Sequence, residues 1–167
     1  MSLLAFPEPY DFALSTGRFR AFGPDLANLL VDGVLHRAVG GREVRITAAA
    51  GGVDVDPLDD DTRRAVAKLL GQEHDLAAFY AWAAVSDEVM AGLTRRLAGF
   101  RPPVAPDPFE ALVTSITAQQ VSLFAAFSIR NRLIGRFGER VGEVWAFPTR
   151  ERIAAAHEDE LFAVGFT

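Results

Sequence analysis

The chain has 167 residues, half of them hydrophobic, with no cysteine and a net charge of −5. It can fill one good core or two small ones, and it lacks the thiols needed for disulfides, cysteine nucleophiles and Cys-type zinc or iron–sulfur sites. The composition fits a soluble protein of a reducing cytoplasm: the N-terminus has no basic signal-peptide stretch, and the longest apolar run, Leu76 to Val85, is too short to span a bilayer. Net acidity argues against nucleic acid, but the charge is uneven. Residues 1–94 carry −6, residues 95–152 carry +4 and the last fifteen carry −3, so the only basic stretch is the middle one.

In chain order, Tyr10 to Leu14 reads as a strand, and from Asp32 a three-strand meander follows. Its segments are Val34–Val39, Arg42–Ala48 and Val53–Asp56, and the intervening Gly40-Gly41 and Gly51-Gly52 supply the positive φ of tight hairpin turns. Val44 and Ile46 alternate with Arg45 and Thr47 as a buried and a wet face. Such a sheet needs a cover, and helices are predicted next, over Asp60–Leu70 and over Ser86–Leu97 with Ser86 as N-cap. Residues 1–98 therefore form an α+β unit. Residues 99–106 form a proline-rich connector, and residues 107–167 read as helical throughout.

Asp107-Pro108 opens the clearest helix. Glu110 would complete a capping box, and Phe109, Leu112, Val113 and Ile116 would form its buried stripe. A second helix is predicted from Val121 to Leu133 along Val121, Ala125, Ile129 and Leu133, ending at Gly135 and Gly138. Thr149 caps a short helix, and Glu158–Val164 forms another. The histidines His36, His74 and His157 have no metal-ligand spacing, and Asp54, Asp56, Asp59, Asp60 and Asp61 lack that of a calcium loop. No phosphate-binding loop, nucleophile elbow or dinucleotide fingerprint is found.

Between the two clearest helices lies Ile116-Thr-Ala-Gln-Gln-Val-Ser122. From spacing alone, Gln119 and Gln120 are a polar connection between packed helices. The longer run Asp107-Pro-Phe-Glu-Ala-Leu-Val-Thr-Ser-Ile-Thr-Ala-Gln-Gln-Val-Ser122, followed by Arg132-Leu-Ile-Gly-Arg-Phe-Gly138, resembles the bacterial 3-methyladenine DNA glycosylase II family of the helix-hairpin-helix superfamily. Pro9-Tyr-Asp11 with Gly17, and Phe147-Pro-Thr149 leading into Ile153-Ala-Ala-Ala156, extend the resemblance over almost the whole chain.

The resemblance implies an N-terminal antiparallel sheet with covering helices (a TBP-like glycosylase N-domain), followed by the first helices of an all-α glycosylase domain. It also implies a monomer that needs no cofactor, binds double-stranded DNA containing alkylated bases, and hydrolyses the N-glycosidic bond with water. Such an enzyme rotates the damaged nucleotide out of the stack and fills the hole it leaves. The wedge carries over to Gln119 and Gln120; some members have leucine at the second position, so here hydrogen bonding replaces part of the apolar stacking. Arg18 and Phe19, after Gly17, fall where the family sends an aromatic side chain toward the base pocket, with a core phenylalanine as the alternative. Arg132 and Arg136, with Arg140, would face phosphates if their helix continued past Gly135, and otherwise form a solvated face.

The family's catalytic aspartate and glycine-rich hairpin have no counterpart in residues 1–167. The chain ends at Gly165-Phe-Thr167, with Gly165 as a helix C-cap and Phe166 without an evident partner, which reads as the N-terminal part of a longer enzyme, inactive alone. The rival readings are an 8-oxoguanine-type glycosylase, whose wedge loop is asparagine-rich, a non-catalytic DNA-binding or regulatory module, and an α+β ligand-binding domain.

Overall fold

A computed structural model describes residues 2–166. Five antiparallel strands form one sheet in the order β1-β5-β4-β3-β2: β1 Ser2–Ala5, β2 Asn28–Val31, β3 Val34–Val39, β4 Arg42–Ala49 and β5 Gly52–Asp56. The meander is where the glycine pairs place it, and Val44 and Ile46 are completely buried while Arg45 is exposed. Two further strands flank it. Asp32 and Gly33, with φ of 49° and 78°, make the two-residue hairpin that adds β2. β1 pairs with β5 from far away in sequence, from Ser2 opposite Val55 to Ala5 opposite Gly52. A Cβ at Gly52 would collide with the carbonyl of Leu4, so this close pairing depends on glycine.

Tyr10–Leu14 is not a strand. The Asp11 carboxylate accepts from the Leu14 amide at 2.8 Å and starts helix α1, Phe12–Thr16, followed by the short α2, Arg18–Ala21. Helix α3, Asp60–Leu69, is capped by Asp59 and, with α1 and α2, closes the buried face of the sheet through Phe12, Phe19, Val66 and Leu69. The apolar run becomes helix α4, Leu76–Ser86. Helix α5, Glu88–Arg96, is capped by Asp87 rather than Ser86: the Asp87 carboxylate accepts from the Met90 amide at 2.7 Å, while the Ser86 hydroxyl donates back to the Trp82 carbonyl. An ionised acceptor makes the stronger bond to an unpaired helix amide. Among the described residues no helix is long and apolar enough to cross a membrane.

Residues 99–106 lie along the sheet unit. Arg101, 1% exposed, donates to the carbonyls of Pro7, Gly71, Gln72 and His74, and Val104 donates its amide to the Leu69 carbonyl. Beyond it come α6, Pro108–Thr117, and α7, Leu123–Phe137. A hairpin of β6, Glu139–Val141, and β7, Val144–Ala146, turns at Gly142 where the sequence pattern gave only helix. Helices α8, Arg150–Ala154, and α9, Glu158–Val164, follow, the first capped by Thr149. Val113, Leu133, Phe137 and Val164 form a second, smaller core, against which Phe166 packs, so Phe166 has an apolar partner after all.

The buried stripe of α6 differs from the expectation. Val113 faces inward, but so do Glu110 and Thr117, while Leu112 and Ile116 are 58% and 45% exposed. Helix α7 also runs unbroken through Gly135 and ends at Phe137, presenting Ala126, Arg130, Leu133, Ile134 and Phe137 to the interior. An arginine and a glutamate thus occupy positions that an amphipathic pattern assigns to apolar residues. The α+β class stands as expected, a five-stranded antiparallel sheet with covering helices followed by further helices.

Candidate nucleic-acid interface

The turn between α6 and α7 is exposed, every residue from Ala118 to Phe124 facing solvent. Ala118 ends α6, the Gln119 amide donates to the Ile116 carbonyl at 3.1 Å, and the Ser122 hydroxyl accepts from the Ala125 amide at 3.3 Å to start α7. Gln120 sits between them with φ of 58°, in the left-handed region. Turns usually place glycine or asparagine there; for glutamine the conformation costs about 1–2 kcal/mol. Both glutamines are exposed, and among the described residues neither side-chain amide makes a hydrogen bond. They border a cavity of about 340 Å³ with Ile116, Thr117, Ile129 and Phe166. Two free amides, each able to donate and accept, are therefore held at a surface concavity.

Between α6, α7 and the sheet unit lies a buried polar cluster. Glu110, 2% exposed, does not close a capping box; Asp107 alone caps α6, accepting from the Phe109 amide at 2.8 Å. The Glu110 carboxylate instead accepts from both terminal nitrogens, Nη1 and Nη2, of Arg37 and, at 2.8 Å, from Arg130. Arg130 also donates to Asp25 at 2.6 Å and to the Thr114 hydroxyl at 3.2 Å. Asp25 further accepts from the amides of Ala27 and Asn28 and from the Asn28 side chain, and Asn28 accepts from Arg37. Burial opposes ionisation of Asp25, but the Arg130 charge and the bonds from Asn28, Arg130 and Ala27 hold its carboxyl below the usual range. Burial likewise opposes the Arg130 charge, and Asp25 and Glu110 raise its pKa above that of an ordinary arginine. Two guanidiniums and two carboxylates thus join the sheet unit to α6 and α7 with their charges matched.

The other expected site residues are scattered. Arg132 and Arg136 lie one turn apart on the continuous α7, and both reach toward α9. Arg132 donates to the Val164 carbonyl at 3.0 Å and to the Ser128 hydroxyl at 2.8 Å, and Arg136 pairs with Glu160 at 2.7 Å. Arg140 belongs to β6 and donates to the Gly142 carbonyl. Phe19 lies in the sheet core, 5% exposed, and Arg18 donates to the Pro103 carbonyl at 3.4 Å. Three residues after Phe19, the half-buried Phe22 meets Phe124 edge-on at 5.3 Å and Phe127 at 5.1 Å between ring centroids. Phe124, in the first turn of α7 beside the glutamines, is 67% exposed. Sequence reasoning missed this aromatic group, although Leu123-Phe124 directly after a cap was a sign of apolar residues facing out of a helix start.

A sequence comparison finds 29% identity to a DNA-3-methyladenine glycosylase of Bacillus subtilis (strain 168) over 122 residues, spanning 68% of this chain and 40% of that protein. The fold matches a 3-methyladenine DNA-glycosylase from Archaeoglobus fulgidus with a TM-score of 0.85 and 24% identity, over all of this chain and 62% of the other. The chain is similar to the N-terminal part of 3-methyladenine DNA glycosylases. It spans two fifths of the curated relative's length. The apo 8-oxoguanine glycosylase/lyase of Clostridium acetobutylicum shares the fold at a TM-score of 0.71 and 13% identity, over 93% of this chain and 55% of that one. No family model matches the sequence.

Proposed function

We propose that this chain is the DNA-recognising N-terminal part of a helix-hairpin-helix glycosylase that releases alkylated bases, of the 3-methyladenine class, from double-stranded DNA. The observation that carries the reading is the α6–α7 turn. Gln120 is held in a left-handed conformation, neither glutamine side chain has a hydrogen-bond partner among the described residues, and the turn borders a concavity. An unpartnered amide on a strained turn does nothing for the stability of the fold; as a wedge, it can donate to and accept from the base left without its partner, while its methylenes fill part of the hole. Strain kept at an exposed polar turn is a mark of functional sites.

The exposed ring of Phe124, backed by Phe22 and Phe127, stands next to that turn. An alkylated purine such as 3-methyladenine carries positive charge, and a ring face attracts a cation. The cationic base is also a ready leaving group: water adds to C1′ as the C1′–N9 bond breaks, the bonding electron pair neutralises the base, and a proton from the water passes to solvent. What such a base needs is extrusion, stacking and a carboxylate to stabilise the sugar cation. This chain supplies the first two. The carboxylate and the glycine-rich hairpin belong to the part of the fold that these residues do not span, so the chain alone releases no base.

The test is release of 3-methyladenine from alkylated duplex DNA by the 167-residue chain and by the same chain extended with the rest of the glycosylase fold. Release by the extended protein alone supports the reading, and Gln119→Ala with Gln120→Ala in that protein should lower the rate. If neither protein releases the base while both are folded, the enzyme reading fails. Salt-dependent duplex binding without release would then leave a DNA-binding module as the better account.

A further inference from the structure

Val113, Leu133 and Phe137 tie α6 to α7 in the smaller core, and Val113 is the last apolar residue that α6 buries. Past it, Ile116 is exposed and the buried position belongs to Thr117, whose hydroxyl donates to the Thr114 carbonyl at 2.7 Å. The Thr114 hydroxyl in turn accepts from Nε of Arg130 at 3.2 Å. Arg130 is the hub of the buried cluster. Its terminal nitrogens donate to Asp25 at 2.6 Å and to Glu110 at 2.8 Å, and its guanidinium lies over the Phe147 ring, 5.6 Å from the centroid. A cavity of about 60 Å³ borders Asp25, Glu110, Thr114 and Arg130. Packing therefore leaves the guanidinium some room, and its directional bonds fix where it sits.

We propose that Thr114 and Arg130 are positioning residues for the wedge: their bond sets the last turn of α6 against α7, and with it the place of Gln120. The inference rests on the reading of Gln120 as the group that enters the hole left by a flipped base. A buried ion cluster often stabilises a fold no better than apolar packing of the same volume. What the guanidinium adds is geometry, because its planar fork holds several acceptors in fixed directions at once. Arg130 reaches α6 twice, through Glu110 and Thr114, and reaches the segment before β2 through Asp25, so its place in α7 is registered against both. Thr114 is three residues before Thr117, where α6 ends, and Thr117 borders the same concavity as the two glutamines. A displacement of about 1 Å in a group that must enter a confined site costs up to roughly a hundredfold in function. A modest bond at this point therefore has more effect on the wedge than on the stability of the fold.

Thr114→Val keeps the branched shape of the side chain and removes the acceptor. It is made in the 167-residue chain alone and together with Gln120→Gly. Affinity for a duplex with an abasic site and for an undamaged duplex is read by fluorescence anisotropy at one salt concentration, and urea midpoints show that each variant is folded. Thr114→Val should weaken binding to the abasic duplex a few-fold and leave the undamaged duplex bound as before, since phosphate contacts are untouched. In the Gln120→Gly background it should have no further effect, because the bond then has no side chain to position. Thr114→Ser, which keeps the hydroxyl, should bind as the parent does. Unchanged abasic affinity in Thr114→Val overturns the inference, as do equal losses on both duplexes, a loss that adds in full to that of Gln120→Gly, or a serine variant as weak as the valine one. The wedge reading has its own point of failure: a parent that does not favour the abasic duplex removes the wedge and the positioning role together. A parent that favours it, with losses that add in full, removes the positioning role alone.

Discussion

The inner face of the α6–α7 pair and the rest of its surface are opposite in character. On the inner face every charge has a partner: Glu110 and Arg130 are buried, and their bonds extend to Arg37, Asp25, Asn28 and Thr114. On the outer face and at the connecting turn the pattern is reversed, with apolar Leu112, Ile116, Leu123 and Phe124 largely in the open and, among the described residues, two glutamines without hydrogen-bond partners. Folding alone would favour the opposite arrangement, because burying Leu and Phe is favourable and burying charge is not. The inner network fixes the position of α6 and α7 against the sheet unit, and the outer face is thereby held ready for something outside the chain.

Removing one member of the inner network is the most damaging change. Glu110→Leu leaves two guanidiniums facing an apolar side chain in a closed space and should destabilise the fold by about 3–5 kcal/mol. Leu112→Ala, two residues on and exposed, should change stability by no more than about 0.5 kcal/mol. Urea denaturation of the two variants beside the parent measures both. Equal losses would abolish the distinction between the faces.

A smaller effect follows from the ionisation of Asp25. Its carboxyl titrates below the ordinary aspartate value of about 3.9, so in the window beneath that value the unfolded chain binds more protons than the folded one. The stability contributed by the Asp25 charge is therefore complete above the unfolded pKa and is lost as pH falls through the folded one. In Asp25→Asn this component is absent, and the decline in stability between about pH 5 and pH 3 should be shallower than in the parent. Urea midpoints across that window give the two slopes, and parallel slopes would show that Asp25 is not held in its charged form by the fold.

What could be read from the sequence was local. Gly40-Gly41 and Gly51-Gly52 marked their hairpins, Asp107-Pro108 and Thr149 marked helix starts, and the Gln119-Gln120 connection falls between two helices as expected. The features that escaped depend on distant partners. β1 is a strand only because β5, some fifty residues on, offers it an edge. Glu110 looked like a capping residue because Asp107 stands three residues before it, and the guanidiniums that claim it come from β3 and α7. The helical spacing of Arg130 with Ala126, Ile134 and Phe137 did carry a warning of a buried arginine. Leu112 and Ile116 were assigned inward because apolar residues at that spacing usually pack, and nothing local marks a helix whose polar face is the buried one.

A small effect on stability is the most informative about function. Gln120→Gly removes the side chain and relieves a left-handed conformation that glycine adopts without cost. Set against the greater freedom of glycine in the unfolded chain, the substitution should raise stability by about 1 kcal/mol or less. If Gln120 enters the hole left by a flipped base, the same variant should lose several-fold in affinity for a duplex containing an abasic site while binding undamaged duplex as before, because phosphate contacts are untouched. Fluorescence anisotropy with the two duplexes at one salt concentration separates the cases. A variant that is more stable and weaker only on the abasic duplex shows a turn strained for recognition. An affinity for the abasic duplex unchanged from that of the parent would return Gln120 to the fold, as a residue that merely tolerates an awkward turn.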